Sequence, residues 1–374
     1  MRDAPLTILH LAANRWWTGS ADPTIRLATG LRARGHRVLL AVIPGDRFES
    51  KAREAELDLV DGVRLQARLA PVALVRDVLR LRAVVHAHGV DILHAHHSHD
   101  HWLALLVRPR RADGSRAAVV RTFHNARSVK RGLVSRALHR RTAAFFAVSR
   151  QIETRCREVG LAAARVVWTP GVADLPRFAD PAGGAAVREE FKLGDAPVVV
   201  SVARLAPNRG HELLLAGFRL LLEDVPSARL LLVGKGETRG RLERLVIDTG
   251  LAQHVIFTGY RDRDLPAVLA AADCFALMAA GSDDSCRAAL EAMAAGRPVV
   301  ARAVGALPET VVHGETGVLI ADEEPRSVAR ALRAVLTDPA RGRAMGAAGR
   351  QRAQAEFSVE RSTDIVEGVY RSLA

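Results

Sequence analysis

The pattern that most limits how this 374-residue chain can fold is an alternation. Short apolar runs are each followed by a polar loop and a segment with helical spacing. An apolar run at 6–12 leads through a loop to Ile25, Leu27, Ala28 and Leu31, one helix face ending at Gly35. A second apolar run follows at 38–43, which completes strand–loop–helix–strand, the unit of a parallel sheet. Strands are expected again at 91–95, 117–122, 145–149 and 166–168, with helices at 102–107 and 133–141. A stretch rich in Pro, Gly and Ala at 180–186 is the best linker, and the alternation then restarts. Strands are expected at 197–203, 229–233, 255–259, 274–278, 298–302 and 317–320, and helices between them and at 325–336 and 339–357. This length suits two domains of ordinary size. The fold class is therefore α/β, two successive domains with parallel sheets, and a ligand belongs at the carboxyl ends of their strands.

Composition narrows the ligand. The chain is 49% hydrophobic and 25% charged, as in a soluble globular protein, and its net charge is +13. Lys occurs only at 51, 130, 192 and 235, so nearly all the basic charge is Arg. That excess favours anionic partners. Aromatic stacking platforms and any nucleic-acid module are missing, so no nucleic acid is expected. Cys156, Cys274 and Cys286 are odd in number and lack metal spacing, which points to a reducing compartment. The start of the chain lacks a signal-peptide layout, and no run of eighteen apolar residues appears. The expected location is cytoplasmic, with peripheral membrane contact left open.

The chemistry concentrates between Gly281 and Val300, a polar loop running into a short helix and then a strand. Asp283 and Glu291 bracket the helix start, whose free N–H groups attract anions. Two carboxylates can accept hydrogen bonds from sugar hydroxyls while amides between them hold a phosphate. Arg204 and Arg209 directly follow the strand at 197–203, and two guanidiniums there suit a diphosphate. Gly234 to Glu237 reads as a turn, and Gly259 to Asp262 could set backbone atoms beside a nucleobase.

With these residues in view, the second half resembles a GT-B-fold retaining glycosyltransferase of the family 4 (group 1) type. Arg204 and Arg209 stand where that family has Arg-x4-Lys, and the strand ending at Val233 runs into its Gly-x-Gly at Gly234 and Gly236. Phe257-Thr-Gly259 matches Phe-x-Gly. Asp283 and Glu291 match Glu-x7-Glu, and Glu291 opens the family's Glu-Ala-Met-Ala-x-Gly-x-Pro-Val-Val through Val300. Gly305 through Leu319 matches the usual tail. In the first half, Leu31 to Val38 matches Leu-x-x-Arg-Gly-His-x-Val, and Thr18 to Ala21 occupies the place of a Gly-Gly loop with one glycine, Gly19. His124 stands at the family's strand-end histidine.

The resemblance implies a GT-B fold, two Rossmann-like domains facing across a cleft. The acceptor-side domain is 1–180, the donor domain 181–357, and a last helix at about 358–374 packs back on the first. It implies a nucleotide-sugar donor (UDP- or GDP-sugar) as co-substrate, no metal or other cofactor, and a glycan or lipid-linked acceptor of the bacterial envelope. Glu291 would bind the nucleotide ribose, Asp283 the sugar hydroxyls, and Arg204 with Arg209 the departing diphosphate. His124 would lie near the reacting sugar. Gly19, Ser20, Tyr260, Arg261, Ser285, Cys286, Arg287 and Ala288 would complete the donor site. The departures are Asp283 for Glu, Ser285-Cys286 for Phe-Gly, and Arg209 for Lys, which preserves charge but not geometry. The retaining branch implies front-face substitution, in which the leaving phosphate helps deprotonate the acceptor. A GT-B epimerase and a noncatalytic nucleotide-sugar or glycan-binding homologue are the alternatives.

Two features stand apart. His86, His88, His94, His96, His97, His99 and His101 crowd one region without recognisable ligand spacing, and are read as strand-end and acceptor-side histidines rather than a zinc site. The segment from Arg127 to Arg141 interleaves six basic residues with Leu133, Val134, Ala137 and Leu138. It suits either an anionic membrane surface or a solvated Arg-rich face.

Overall fold

In the computed structural model, which describes residues 4–14, 20–65, 71–109, 114, 116–280 and 285–374, the chain forms two compact units. The first carries β1 (Thr7–Ala12), α1 (Ala21–Ala33), β2 (Arg37–Val42), α2 (Arg47–Glu54), β3 (Asp58–Leu59) and α3 (Pro71–Ala87). It continues through β4 (Ile92–Ala95), α4 (Ser98–Val107), β5 (Ala118–Phe123), α5 (Leu133–Arg140), β6 (Ala144–Ala147), α6 (Arg150–Glu158) and β7 (Val166–Trp168). The second carries α7 (Leu175–Ala179), α8 (Gly184–Glu190), β8 (Val198–Val202), α9 (His211–Leu221), β9 (Arg229–Val233), α10 (Arg239–Asp248) and β10 (Val255–Gly259). There follow α11 (Leu265–Ala270), β11 (Cys274–Leu277), α12 (Arg287–Ala294), β12 (Val299–Arg302), α13 (Leu307–Thr310), β13 (Gly317–Ile320), α14 (Pro325–Leu336) and α15 (Pro339–Glu356). The last helix, α16 (Val359–Leu373), belongs to the first unit.

Among the described residues the first sheet runs β3-β2-β1-β4-β5-β6-β7 and the second β10-β9-β8-β11-β12-β13, every pairing parallel. The strands read as continuous apolar runs because helices cover both faces of each sheet. In β8, Val198 and Val200 bury into one core with Phe275 and Leu277, while Val199 joins Leu230, Leu232 and Ala276 on the other face. The same two-residue period in β1 sends Ile8 toward Val38, Ile92 and Phe146, and Leu9 with Leu11 toward Leu39, Leu93 and Val119. Strand order reverses between β1 and β4 in the first unit and between β8 and β11 in the second. At such switch points a parallel sheet opens a crevice at its carboxyl edge.

The units divide after Gly171, ahead of the Pro/Gly-rich stretch, because Leu175 and Phe178 of α7 bury into the core of the second sheet. The chain returns to the first unit at Val359. There α16 lies on α1: Thr363 sits against Gly30, where an added Cβ would meet its Oγ1 at 2.5 Å. Arg34 and His36 both reach Glu367, at 2.7 and 3.1 Å, and Tyr370 is fully buried. Helix α3 escaped the sequence reading because its apolar residues trace no single face. Leu81, Val84 and Val85 are buried, whereas Val72, Val75 and Leu79 are exposed.

Candidate functional site

In the second unit the site is built from the loops that leave β8, β9 and β10. Backbone bonds knit them together: Ala203 N–H to Val233 O (3.1 Å), Leu205 N–H to Lys235 O (3.1 Å), Thr238 N–H to Leu205 O (3.0 Å) and Gly234 N–H to Gly259 O (2.9 Å). Only glycine allows this approach. A Cβ on Gly234, at φ +151°, would lie 2.0 Å from Ala203 O, and one on Gly236 would lie 2.0 Å from Leu205 O. Gly236→Ala is accordingly expected to cost about 1–3 kcal/mol, as overpacking does. Thermal unfolding with and without nucleotide checks this, since the same substitution should part the loops and weaken binding.

These loops carry the charge. Arg204 donates to the Glu237 carboxylate at 2.9 Å, and its side chain remains 64% exposed. A bond from its own backbone N–H, with Arg204 beside it, holds the Glu237 carboxyl below its ordinary range. Lys235 sits between them in sequence, with Nζ 5.2 Å from the centre of the Tyr260 ring. Lys235 and Glu237 escaped the sequence selection; the usable signal was a rare lysine inside Gly-x-Gly directly after a strand. Arg209 follows Asn208 (φ +59°) and precedes Gly210 (φ +73°), so two left-handed residues turn the chain into α9. Arg261 is held by Glu190 through two bonds of 2.8 and 2.7 Å and by Asp264 at 2.6 Å, which pins α8 to the loop after β10. Tyr260 is the exposed partner of that pair.

Across the switch point stands α12. Ser285 and Cys286 are buried, and Cys286 takes φ +52° at the helix cap, with its Sγ 3.5 Å from Ala280 O. Ala288 lies in the first turn. Glu291, one turn in, is only 6% exposed, with Oε1 3.2 Å from Arg287 Nε. A carboxylate buried at this depth needs strong donors, because its unpaired burial is costly. Asp283 and Gly19 lie outside the described residues, while Ser20 is buried at the start of α1.

The first unit holds a second polar cluster at its own switch point. His10 in β1, His94 in β4, His96 just after β4 and His124 just after β5 are all buried. The rings of His94 and His96 stack with centroids 4.3 Å apart, and His96 stacks on His124 at 5.5 Å. His10 Nδ1 lies 3.0 Å from His96 Nε2, and His96 Nδ1 lies 3.2 Å from both Thr24 Oγ1 and His124 Nε2. His94 contacts the Tyr370 hydroxyl at 2.5 Å and the Thr122 hydroxyl at 2.7 Å. Burial pushes His10 and His124 down to about 3 and holds His94 and His96 well below the usual imidazole range. Nitrogens of His10, His94 and His96 come within 4.8 Å of one another. Both nitrogens of His94 and of His96 are engaged by protein groups; His10, His96 and His124 form a hydrogen-bonded chain, and His94 stacks on it. His86 is exposed at the end of α3, and His99 packs its edge on Trp102.

Beside this chain, Asp100 accepts from the Ala13 and His97 backbone N–H groups at 3.1 and 3.0 Å. Burial pushes its carboxyl up to about 7. Arg121, buried within β5, donates to His101 Nδ1 at 3.1 Å and to Ser98 Oγ at 3.0 Å. His10 and Arg121 escaped sequence reasoning because each stands inside an apolar strand, where the pattern marks core.

Comparison with known proteins follows the same division. A family model described as group 1 glycosyl transferases matches residues 185–352, and one described as glycosyltransferase family 4 matches 19–176. The GDP-mannose-dependent alpha-(1-6)-phosphatidylinositol monomannoside mannosyltransferase of Mycolicibacterium smegmatis is 41% identical over 212 residues, 54% of this chain and 55% of that one. The chain thus spans about half the length of such mannosyltransferase relatives. The 2-deoxystreptamine glucosyltransferase of Streptomyces kanamyceticus is 30% identical over 264 residues, 68% of each chain. The crystal structure of Anabaena HepE in complex with UDP and glucose matches with a TM-score of 0.82 at 20% identity, covering 98% of this chain and 100% of that one. That likeness shows the GT-B fold, two Rossmann-like units. With both family models matched in order along a chain of this fold, the protein belongs to the family 4 (group 1) glycosyltransferases.

Proposed function

We propose that the protein moves a hexosyl group from a nucleoside-diphosphate sugar to a hydroxyl of a glycan or lipid-linked acceptor, with retention at the anomeric carbon. The observation that carries this reading is the switch point of the second sheet, where buried Glu291 on α12 stands across from the loops bearing Arg204, Arg209 and Lys235. A carboxylate suits the ribose hydroxyls, and the basic loops suit a diphosphate. The bond from the anomeric carbon to the phosphate oxygen breaks, and one to the acceptor oxygen forms on the same face. The acceptor proton passes to the departing diphosphate, whose growing charge the arginines and the start of α12 stabilise. Asp283 and His124 are assigned to the sugar hydroxyls, and no metal is required in this scheme.

Likeness to the Mycolicibacterium enzyme makes GDP-mannose the first donor to test and a phosphatidylinositol monomannoside the first acceptor, within a proposed acceptor class of bacterial envelope glycolipids and polysaccharides. Incubation with GDP-mannose, UDP-glucose and ADP-glucose plus phosphatidylinositol mannosides, read by mass spectrometry, is expected to give one hexose added with α-linkage retained. Failure of every donor to be consumed would sink this reading, and donor conversion to an epimer without transfer would replace it.

The helix α5 adds a membrane expectation. Leu133 and Val134 are 82% and 76% exposed in a segment that carries Arg127, Lys130, Arg131, Arg136, Arg140 and Arg141. Apolar side chains amid basic ones suit the inner, anionic face of a bacterial membrane. Sedimentation with phosphatidylglycerol vesicles should fall at least several-fold in a Leu133→Asp, Val134→Asp double variant. Equal sedimentation of the variant would instead assign α5 to solvent.

A further inference from the structure

We propose that Thr24 and His96 act as positioning residues that fix the tautomer of His124, so that His124 offers its Nδ1–H as a hydrogen-bond donor. The inference deepens the functional reading above, which assigns His124 to a sugar hydroxyl. It concerns which nitrogen carries the proton.

Each neutral ring along the chain carries one proton, and the direction of the hydrogen bonds decides which nitrogen holds it. A neutral imidazole has one N–H donor and one bare nitrogen, so its two partners must differ in kind. His96 is neutral: burial, together with His94, His10, His124 and His97 around it, disfavours a second proton. The chain His10–His96–His124 can then run with either of two polarities. In one, His10 Nδ1–H donates to His96 Nε2, and His96 Nδ1–H donates to His124 Nε2. In the other, every donor and acceptor exchanges, and His124 is left with a bare Nδ1. Distances of 3.0 and 3.2 Å suit both equally.

Thr24 breaks the tie. Its hydroxyl hydrogen goes to the Ser20 carbonyl one turn back, at 2.9 Å. Its oxygen faces His96 Nδ1 at 3.2 Å and can therefore only accept there. That places the His96 proton on Nδ1, shared between Thr24 Oγ1 and His124 Nε2. His124 Nε2 becomes an acceptor, and the His124 proton must sit on Nδ1. The same polarity makes His10 a donor through Nδ1, and its buried Nε2 is the bare nitrogen without a hydrogen-bond partner. A bare nitrogen at that inner end costs less than an N–H left unsatisfied there, which agrees with the assignment. Ring stacking of His94 on His96 at 4.3 Å, itself held by Tyr370 and Thr122, keeps the planes in register.

Histidine-selective ¹⁵N labelling and long-range ¹⁵N–¹H correlation of the full chain read this directly. The His124 signals are assigned by their loss in His124→Asn. The expected result is a pyrrole-type Nδ1 and a pyridine-type Nε2 for His124. In Thr24→Val the two polarities approach equal weight, and the tautomer ratio should drop by roughly five- to tenfold, the worth of one hydrogen bond. Thr24→Ser keeps the hydroxyl and should restore the wild-type ratio. A protonated Nε2 on wild-type His124, or an unchanged ratio in Thr24→Val with folding intact by thermal melt, overturns the proposal. Correct tautomers in a protein that consumes no nucleotide sugar would leave this assignment standing and remove the functional reading instead.

Discussion

Arg204→Met is expected to lower kcat for sugar transfer by about 10²–10³-fold, the range seen when one preorganised donor to a developing oxyanion is removed. The effect should fall on kcat more than on KM, because the diphosphate gains its extra negative charge only as the glycosidic bond breaks. Fold stability should barely change. Arg204 is largely exposed, and its ion pair with Glu237 is a surface pair worth about 0–1 kcal/mol. Its position does not depend on that pair: the loop is set by the close approach of Gly234 to Ala203 and of Gly236 to Leu205. A control follows from the same geometry. Glu237→Gln frees Arg204 without removing it, so activity should be retained or rise modestly. Steady-state kinetics of both variants beside their thermal melts separate a charge effect from a folding effect.

Acidification should unfold the first unit before the second. His10, His94, His96, His97, His101, His124 and His139 all have protonation suppressed in the folded state, chiefly by burial, to about 3 for His10 and about 4 for His97. The unfolded chain protonates these side chains near pH 6.5. Below that value the unfolded state binds protons that the folded state refuses, so stability is present above about pH 6.5 and is lost as pH falls toward the folded values. Each fully buried histidine contributes about 2 kcal/mol of this loss by about pH 5, at about 1.4 kcal/mol per pH unit. Asp100 works the other way. Its folded value of about 7 exceeds the ordinary 3.8, so between about pH 4 and 7 its protonation favours the folded state as pH falls. One carboxyl opposes seven imidazoles, and a few of these suffice to exhaust an ordinary domain stability of about 5–15 kcal/mol. All four tryptophans, Trp16, Trp17, Trp102 and Trp168, precede the division at Gly171. Fluorescence therefore reports the first unit, and it should lose its native signal near pH 5 while far-ultraviolet circular dichroism retains much of its amplitude. A coincident, single transition near pH 3 would contradict the buried, neutral histidines.

Much of the fold was legible because parallel strands covered on both faces leave continuous apolar runs, as at Val198–Val202 and Val299–Arg302. The stretch containing Glu291 stood out in the sequence because two acidic residues bracket a helix start, and the folded chain adds that Glu291 is buried on α12 beside Arg287. The domain division was less so. Leu175 and Phe178 follow a turn at Pro170-Gly171, and only the packed core shows that they belong to the second unit. The histidines divide along the same line. The crowd from His94 to His101 was visible as a cluster in sequence, but His86 belongs to an exposed helix end, and the chain's inner member, His10, arrives from a strand 86 residues away from His96. Nearness in space across parallel strands leaves no local spacing to read. The polarity of that chain depends on a threonine hydroxyl already committed to a backbone carbonyl, which only the folded arrangement discloses.

In the function proposed above, Glu291 and the loops after β8 and β9 form a nucleotide site. Isothermal titration of GDP and of UDP into the wild-type chain and into Glu291→Gln tests it most directly. The substitution keeps the shape of the side chain and removes its charge, and hydrogen bonds to a charged group contribute about 1.5–3 kcal/mol. One nucleotide should bind the wild type, and its affinity should fall by roughly ten- to a hundredfold in the variant with the thermal melt preserved. Equal affinities for the two proteins, or no binding of either nucleotide to the wild type, would contradict it.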